Sequence, residues 1–305
     1  MIFIAKVILL FHCVFIKGQN PPKYDFIRHV EPSNDTDLFR KLLKPARSIL
    51  VINGPEITAA SGLPTKPWDK WRGYSSESLD TLAAFNKSPA LIWEYTQYRR
   101  DLVLAAKPNQ AHKAIAEFEK YLRNEGCGRQ LRVFTHNIDS LQTRAGSKNV
   151  VELEGSLFKT QCLSCGHVEE NFDNPVCPAL TARGSRLEGN YPDIPVNDLP
   201  HCKQPGCKGL LRPHIKFSDE KINSENIRKA GSLMHTTDFC ILVGISTLDL
   251  KNPLGHIPPL LTMHNHTIAE FSLEKTYGPP GTSLAKFLFE GRCTQTLPDL
   301  LQYSV

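Results

Sequence analysis

Two short cysteine spacings constrain this chain more than any other feature. Cys162-Leu-Ser-Cys165 holds two intervening residues, and after 36 intervening residues Cys202-Lys-Gln-Pro-Gly-Cys207 holds four. Two such pairs on separate turns can bring four thiolates around one tetrahedral Zn²⁺. Gly166 and Gly206 suit the tight knuckles this requires. With all four positions filled by protein sulfur, the site would be closed and structural. Residues 159–212 are rich in Cys, Pro and Gly with little hydrophobic period, as expected of a small inserted module without a core of its own. Metal binding of order 10 kcal/mol or more would stand in for that core. Two disulfides or free thiols are the alternative use of the same residues. Cys177 lies inside the module without a close partner, and Cys13, Cys127, Cys240 and Cys293 are scattered and read as small buried hydrophobes.

Around the module, strands alternate with helices. Ser48-Ile-Leu-Val-Ile52 is a buried-strand run ending in Asn53-Gly54-Pro55, the start of a nucleotide-binding type of crossover. Helical patterning covers Leu38 to Leu43, Pro89 to Ala106 and Asn109 to Leu122. Further strand runs are Leu131 to Thr135, Val150 to Leu153, Phe239 to Gly244 and Thr267 to Phe271. The expected fold is α/β, a Rossmann-like doubly wound parallel sheet with a small inserted zinc-binding module. Residues 1–37 read as a leader and linker, and 38–305 as the folded unit.

Charge and termini exclude little else. Lys+Arg of 36 against Asp+Glu of 31 gives +5, spread along the chain, and the cysteine module lacks the interleaved basic and aromatic flanks of a nucleic-acid binder. The apolar stretch from Val7 to Ile16, preceded by Lys6 and interrupted by His12, is too short and too broken for a membrane span. It leaves a secretory signal open, although no small-residue cleavage site follows. Zinc thiolates favour a reducing compartment.

Together with the four cysteines, three stretches resemble the sirtuin family. They are Ala59-Ala-Ser-Gly-Leu-Pro-Thr65, Thr135-His-Asn-Ile-Asp139 and Gly155-Ser-Leu-Phe158. Trp93-Glu-Tyr95, Tyr98-Arg-Arg100, Cys177-Pro-Ala-Leu180 and Gly209-Leu-Leu-Arg-Pro-His214 resemble its mitochondrial desuccinylase/demalonylase branch, and the likeness runs from about Pro32 to Leu301. The resemblance implies a Rossmann-type NAD lobe (38–158 and 213–305), a zinc module (159–212) and an acylated-lysine protein or peptide between them. It implies transfer of the acyl group to ADP-ribose with release of nicotinamide, in the mitochondrion or cytosol. By the same carry-over Gly54, Thr58, Asn137, Asp139, Gly244, Ser246 and Ser272 face NAD, and Arg99 faces the acyl group.

Against the family's pattern the chemical positions drift more than the scaffold. Glu56 replaces a glycine in the first phosphate loop, placing a negative charge where the pyrophosphate approaches. Like charges ~4 Å apart repel by roughly 4 kcal/mol at an effective dielectric near 20. Lys66-Pro67 replaces a Phe-Arg pair, with Trp71-Arg72 nearby, and Thr96 replaces the tyrosine that partners Arg99. Ser272 replaces an asparagine, and Ser218-Asp219 an aromatic and a glycine. Glu154 stands where the family has its histidine base, while His136, one strand away, replaces a glutamine and reads as a hydrogen-bonded structural residue, with a rescuing imidazole as the alternative. A carboxylate is a weak base near pH 7, and a positioned base contributes roughly 10²- to 10⁴-fold in rate. The expectation is a sirtuin-lineage protein with weak or no turnover, a pseudoenzyme at the limit. An active deacylase using Glu154, and a zinc-containing interaction module, are the alternatives.

Overall fold

The computed structural model describes residues 31–64, 70–185, 189, 191–221, 226, 228, 232, 236–245, 266–273 and 284–302. Its strands are β1 (Ser48–Asn53), β2 (Gln130–Thr135), β3 (Val150–Glu152), β4 (Gly155–Cys162), β5 (Val168–Glu170), β6 (Leu211–Ile215), β7 (Phe239–Val243), β8 (Thr267–Ser272) and β9 (Phe287–Glu290). Its helices are α1 (Thr36–Leu43), α2 (Pro55–Ala59), α3 (Ser76–Leu79), α4 (Leu82–Lys87), α5 (Pro89–Ala105), α6 (Gln110–Asn124), α7 (Leu141–Arg144) and α8 (Cys293–Leu301).

Six strands form one parallel sheet in the order β3-β2-β1-β7-β8-β9. The apolar β1 is buried along nearly its whole length, as a strand covered on both faces must be. From β1 the chain order runs outward through β2 and β3 on one side and from β7 to β9 on the other. The order therefore reverses beside β1, where open α/β sheets hold their ligands. This is the doubly wound sheet expected from the alternating pattern. The sequence pattern did not show β9 or α8: β9 is four residues long, and α8 carries Pro298 inside it.

One face of the sheet is closed by α1. Asp35 caps that helix by accepting the amides of Asp37 and Leu38. Phe39, fully buried, meets Phe239, Phe271, Phe287 and Phe289 edge-on, with ring centroids 5.3 to 5.9 Å apart. Ser33, in the stretch read as linker, bridges to Phe287 of β9. Helix α6 packs nearby through Ile115, Phe118 and Leu122. Its buried Glu119 carboxylate accepts the amides of Lys148 and Asn149, fixing the chain just before β3. Among the described residues no helix is long and apolar enough to cross a membrane.

The small sheet, in the antiparallel order β5-β4-β6, lies in the excursion between β3 and β7. Helix α5 ties it to the rest. Trp93 Nε1 donates to the Leu211 carbonyl at 2.9 Å, and the fully buried Arg100 donates to the Asp173 carbonyl at 2.7 Å. Burial lowers Arg100 to about 10, so its charge is kept at neutral pH. At the end of this sheet the four cysteines converge, all of their ligand atoms within 4.8 Å of one another. Cys162 and Cys207 Sγ are 3.6 Å apart, and Cys165 and Cys202 Sγ are 3.7 Å apart. A sulfur tetrahedron with ~2.3 Å metal bonds has edges of about 3.8 Å, whereas a disulfide is ~2.05 Å long. All four are free thiols, which decides against the disulfide alternative here. Gly166 and Gly206 take positive φ of 72° and 75° at the knuckles. A side chain on Gly209 would sit 2.7 Å from Cys162 Sγ, so glycine there lets the second knuckle close. The Cys165 and Ser164 amides pull the Cys162 thiol down to about 6. Against the Gln204 amide, burial and the neighbouring thiols push Cys202 up to about 12. Four sulfurs this close do not all ionise without a cation, and a divalent, thiophilic ion removes the conflict. The cluster is a zinc-type site of four cysteines.

Two outcomes follow for the scaffold. Metal analysis of the purified chain should find one Zn²⁺ per molecule. Cys165→Ser should lose it together with about 10 °C or more of Tm, several kcal/mol in a chain of this size; a metal-free chain, or an unchanged Tm, would exclude the site. His112 is buried beneath the cap of α6, its Nδ1 accepting the Asn109 amide at 3.3 Å, and burial lowers it to about 4. The unfolded chain binds a proton there near 6.5 and the folded chain does not. Stability should therefore fall as pH drops from about 6.5 toward 4, by about 2 kcal/mol between pH 7 and 5. Urea titrations at both values should show this loss shrink in His112→Gln.

Candidate functional site

The site grows from strand ends held in register. Asn53, Thr135 and Val243 close β1, β2 and β7 side by side, and Thr135 pairs with Glu152 of β3. The turns that follow meet at once. Gly54 donates its amide to the Val243 carbonyl at 2.8 Å, and the Glu56 amide donates to the Gly244 carbonyl at 3.0 Å. A Cβ on Gly54 would lie 2.4 Å from that same carbonyl, and Gly244 has a φ of +62°. Both glycines are thus demanded by the backbone packing of the two turns.

Asn137 reaches across from the β2 turn, its Nδ2 donating to the Gly54 carbonyl at 3.0 Å. Two residues later Asp139 accepts the Thr58 hydroxyl at 2.6 Å and the Leu141 amide at 2.8 Å. Burial raises the Asp139 carboxyl above the usual carboxylate range, while those two donors act against the shift. Asn137 with Gly54 and Thr58 with Asp139 are therefore two hydrogen-bonded pairs at the same strand ends, with Gly244 packed against the Gly54 turn. Asn53, at the end of β1, donates from Nδ2 to Gln142 Oε1 at 3.0 Å, a buried pair that sequence reasoning passed over. An asparagine closing an apolar strand was its only signal.

Ser272 ends β8 fully buried, with Oγ donating to Glu270 at 3.1 Å. Ser246 lies outside the described residues, as do Lys66 and Pro67. Glu56 does not hang loose in the first turn. Its carboxylate accepts the Leu273 amide at 3.2 Å, just beyond β8. It also lies near enough to Cys293 to help burial push that thiol up to about 11.

Glu154 follows β3 at the turn into β4. Its carbonyl accepts the Lys216 amide at 2.8 Å, and Gly155 next to it has a φ of +80°. Its Oε1 lies 3.3 Å from Nδ1 of His136, so the two turns that follow β2 and β3 meet through these side chains. Glu152, two residues earlier, is committed elsewhere, to Lys159 Nζ at 2.7 Å and to the Ser140 hydroxyl. The His136–Glu154 contact was not legible from spacing. It depends on β2 and β3 being parallel neighbours, and the Thr135↔Glu152 register was the clue.

Arg99 sits apart on α5, and no described contact joins it to the group above. Nearly buried, it lies 4.4 Å above the Tyr95 ring, and its Nη1 is 3.3 Å from Asp80 Oδ1. Nε and Nη2 make no hydrogen bond to any described residue. Two buried donors on one guanidinium fit an incoming carboxylate. Thr96, one turn back, is fully buried. Arg72, by contrast, is occupied. It is ion-paired to Glu94, donates to the carbonyls of Arg183 and Ser185, and lies 3.6 Å from the centre of the Tyr191 ring. Asp219 caps α4 by accepting the Leu82 amide at 2.7 Å and the Ala83 amide at 3.1 Å.

Comparison with known proteins agrees with this geometry. The Sir2 family model matches residues 54–249. An NAD-dependent protein deacylase of Daphnia pulex is 41% identical over 88% of this chain and 97% of its own. The mitochondrial NAD-dependent protein deacylase sirtuin-5 of Canis lupus familiaris is 40% identical over 88% of this chain and 86% of its own. Among solved structures, a Sir2 homologue in complex with NAD superposes with a TM-score of 0.69 at 26% identity, covering 90% of this chain and 95% of that one. At these identities and coverages the chain belongs to the sirtuin family, in the lineage of the sirtuin-5-like deacylases.

Proposed function

We propose that this chain is an NAD-dependent protein-lysine deacylase whose turnover is low beside relatives that carry histidine at the base position. The observation that carries the reading is Glu154, anchored through Lys216 and Gly155 at the turn where the family holds its imidazole. The residues present fit the dinucleotide. Gly54, Thr58, Asn137, Asp139 and Gly244 are assembled at the switch point of the sheet, with Ser272 at the end of β8 and Ser246 assigned by family position. The Glu56 carboxylate is turned to the Leu273 amide. When bound, NAD supplies the ADP-ribose that accepts the acyl group and the nicotinamide that leaves.

The chain's own groups divide the remaining tasks. Asn137 and Asp139 orient the ribose and nicotinamide ends, and Thr58 holds Asp139 in place. Arg99 offers Nε and Nη2 to an acidic acyl chain on lysine, which supports a succinyl- or malonyl-type preference weakened by the loss of the partnering phenol at Thr96. The four-cysteine cluster plays no part in the chemistry, being closed by protein sulfur on every side. Relatives named as mitochondrial support a mitochondrial location.

Purified protein should bind NAD by calorimetry and release nicotinamide slowly with succinyl-, malonyl- and acetyl-lysine peptides. Glu154→His should raise kcat by about 10-fold or more. If the unaltered chain turns over as fast as its Glu154→His variant, the slow-turnover reading is wrong. In the same assay Arg99→Met should cut the ratio of succinyl- to acetyl-peptide kcat/KM by about 10-fold, an ion pair's worth of about 1.4 kcal/mol. An unchanged ratio would remove Arg99 from acyl selection.

A further inference from the structure

The two departures that meet at 3.3 Å are complementary in chemistry. One turn has lost an imidazole and gained a carboxylate at Glu154; the other has gained an imidazole at His136. We propose that His136 and Glu154 form a relocated base, in which His136 receives the proton and Glu154 positions it and offsets its charge. This rests on the deacylase reading above.

Geometry supports each half. Both backbones are pinned. The Asn137 amide donates to Thr135 Oγ1 at 3.0 Å, the Leu153 amide donates to the Thr135 carbonyl at 3.0 Å, and the Glu154 carbonyl is held by Lys216. Both side chains are partly open to solvent, at 19% for His136 and 28% for Glu154, as groups meeting a substrate must be. The contact is made by Nδ1. A carboxylate accepts only, so with Glu154 ionised and the imidazole neutral the ring proton sits on Nδ1 and the lone pair on Nε2. An acid residue fixing the tautomer of a histidine whose other nitrogen takes the proton is a recurrent arrangement in hydrolases. Glu152 cannot serve as that acid, since Lys159 and Ser140 hold it. The attacking group of the family reaction is a ribose hydroxyl. With such a hydroxyl bound, its O–H bond would break as the proton passes to Nε2, the oxygen would keep that electron pair for its bond to the acyl carbon, and the π pair of that carbon would move onto its own heteroatom. The carboxylate stays ionised beside the imidazolium, so charge balances without any further reactant.

The arrangement leaves a signature in the chain alone. ¹⁵N NMR of the histidine rings, above the pH at which His136 is protonated, should show His136 with its proton on Nδ1. Glu154→Ala should return it to the Nε2-protonated form favoured by free imidazole. A wild-type ring already in that form would overturn the proposal. In the peptide assay His136→Ala should lower kcat by about 10²-fold with the NAD affinity unchanged, and added imidazole should restore part of it. Glu154→Ala should lower kcat by about 10-fold without such rescue. In the Glu154→His background, His136→Ala should cost less than about 3-fold. Turnover indifferent to His136→Ala would overturn the relocated base and leave the deacylase reading intact. A chain that binds NAD and peptide yet never turns over would likewise overturn it, while failure to bind NAD would remove the deacylase reading and this proposal together.

Discussion

Parallel pairing of β1 with β2 on one side and β7 on the other is the constraint from which the site follows. Because Asn53, Thr135 and Val243 end abreast, the three turns beyond them have nowhere to go but into one another. Gly54 and Gly244 then touch through backbone, Asn137 reaches Gly54, and Thr58 at the first turn of α2 meets Asp139. None of these contacts is a property of one motif. Each is the meeting of two motifs more than fifty residues apart, which the sheet makes neighbours.

The cysteine module depends on the same sheet indirectly. A three-stranded sheet of this size buries too little to stand alone, and α5 supplies what it lacks. Trp93 and Arg100 reach from one helix into the carbonyls around β6 and residue 173, and the sulfur cluster closes the far end. Arg72 adds a further tie. It is caged by Glu94, Trp71 and Tyr191 and bonded to carbonyls of the segment around residues 183–185. Arg72, which lies in sequence near the replaced Phe-Arg pair, is structural glue, and Asp219 is likewise a helix cap where an aromatic-glycine stretch was expected.

How much of this was legible beforehand follows from how local each feature is. The strands around Ile49–Ile52 and Phe239–Val243 and the helices α5 and α6 announce themselves by apolar runs and period, and the structure has them within a residue or two. The four metal-type cysteines were legible because two short spacings are a strong local signal. β9 and β5 were not, being four and three residues long, and β4 mixes polar with apolar residues and takes its partners from chain further on. At the site, single positions were legible by resemblance, but their relations were not. Nothing in the string says that Glu56 turns to Leu273, that Arg99 leaves two donors unmet, or that His136 faces Glu154. Those relations exist only once register and burial are fixed.

Glu119 shows how far from the chemistry such relations are set. This carboxylate on α6 clamps Lys148 and Asn149, β3 starts at the next residue, and Glu154 follows its end with no intervening element. The helix on the sheet's outer face thus works as the fixed end of a short lever whose free end carries Glu154. Slack at the clamp would be felt as a change of aim at the imidazole. Substitutions on α6 that never approach the pocket belong to the pocket's tuning as much as those inside it.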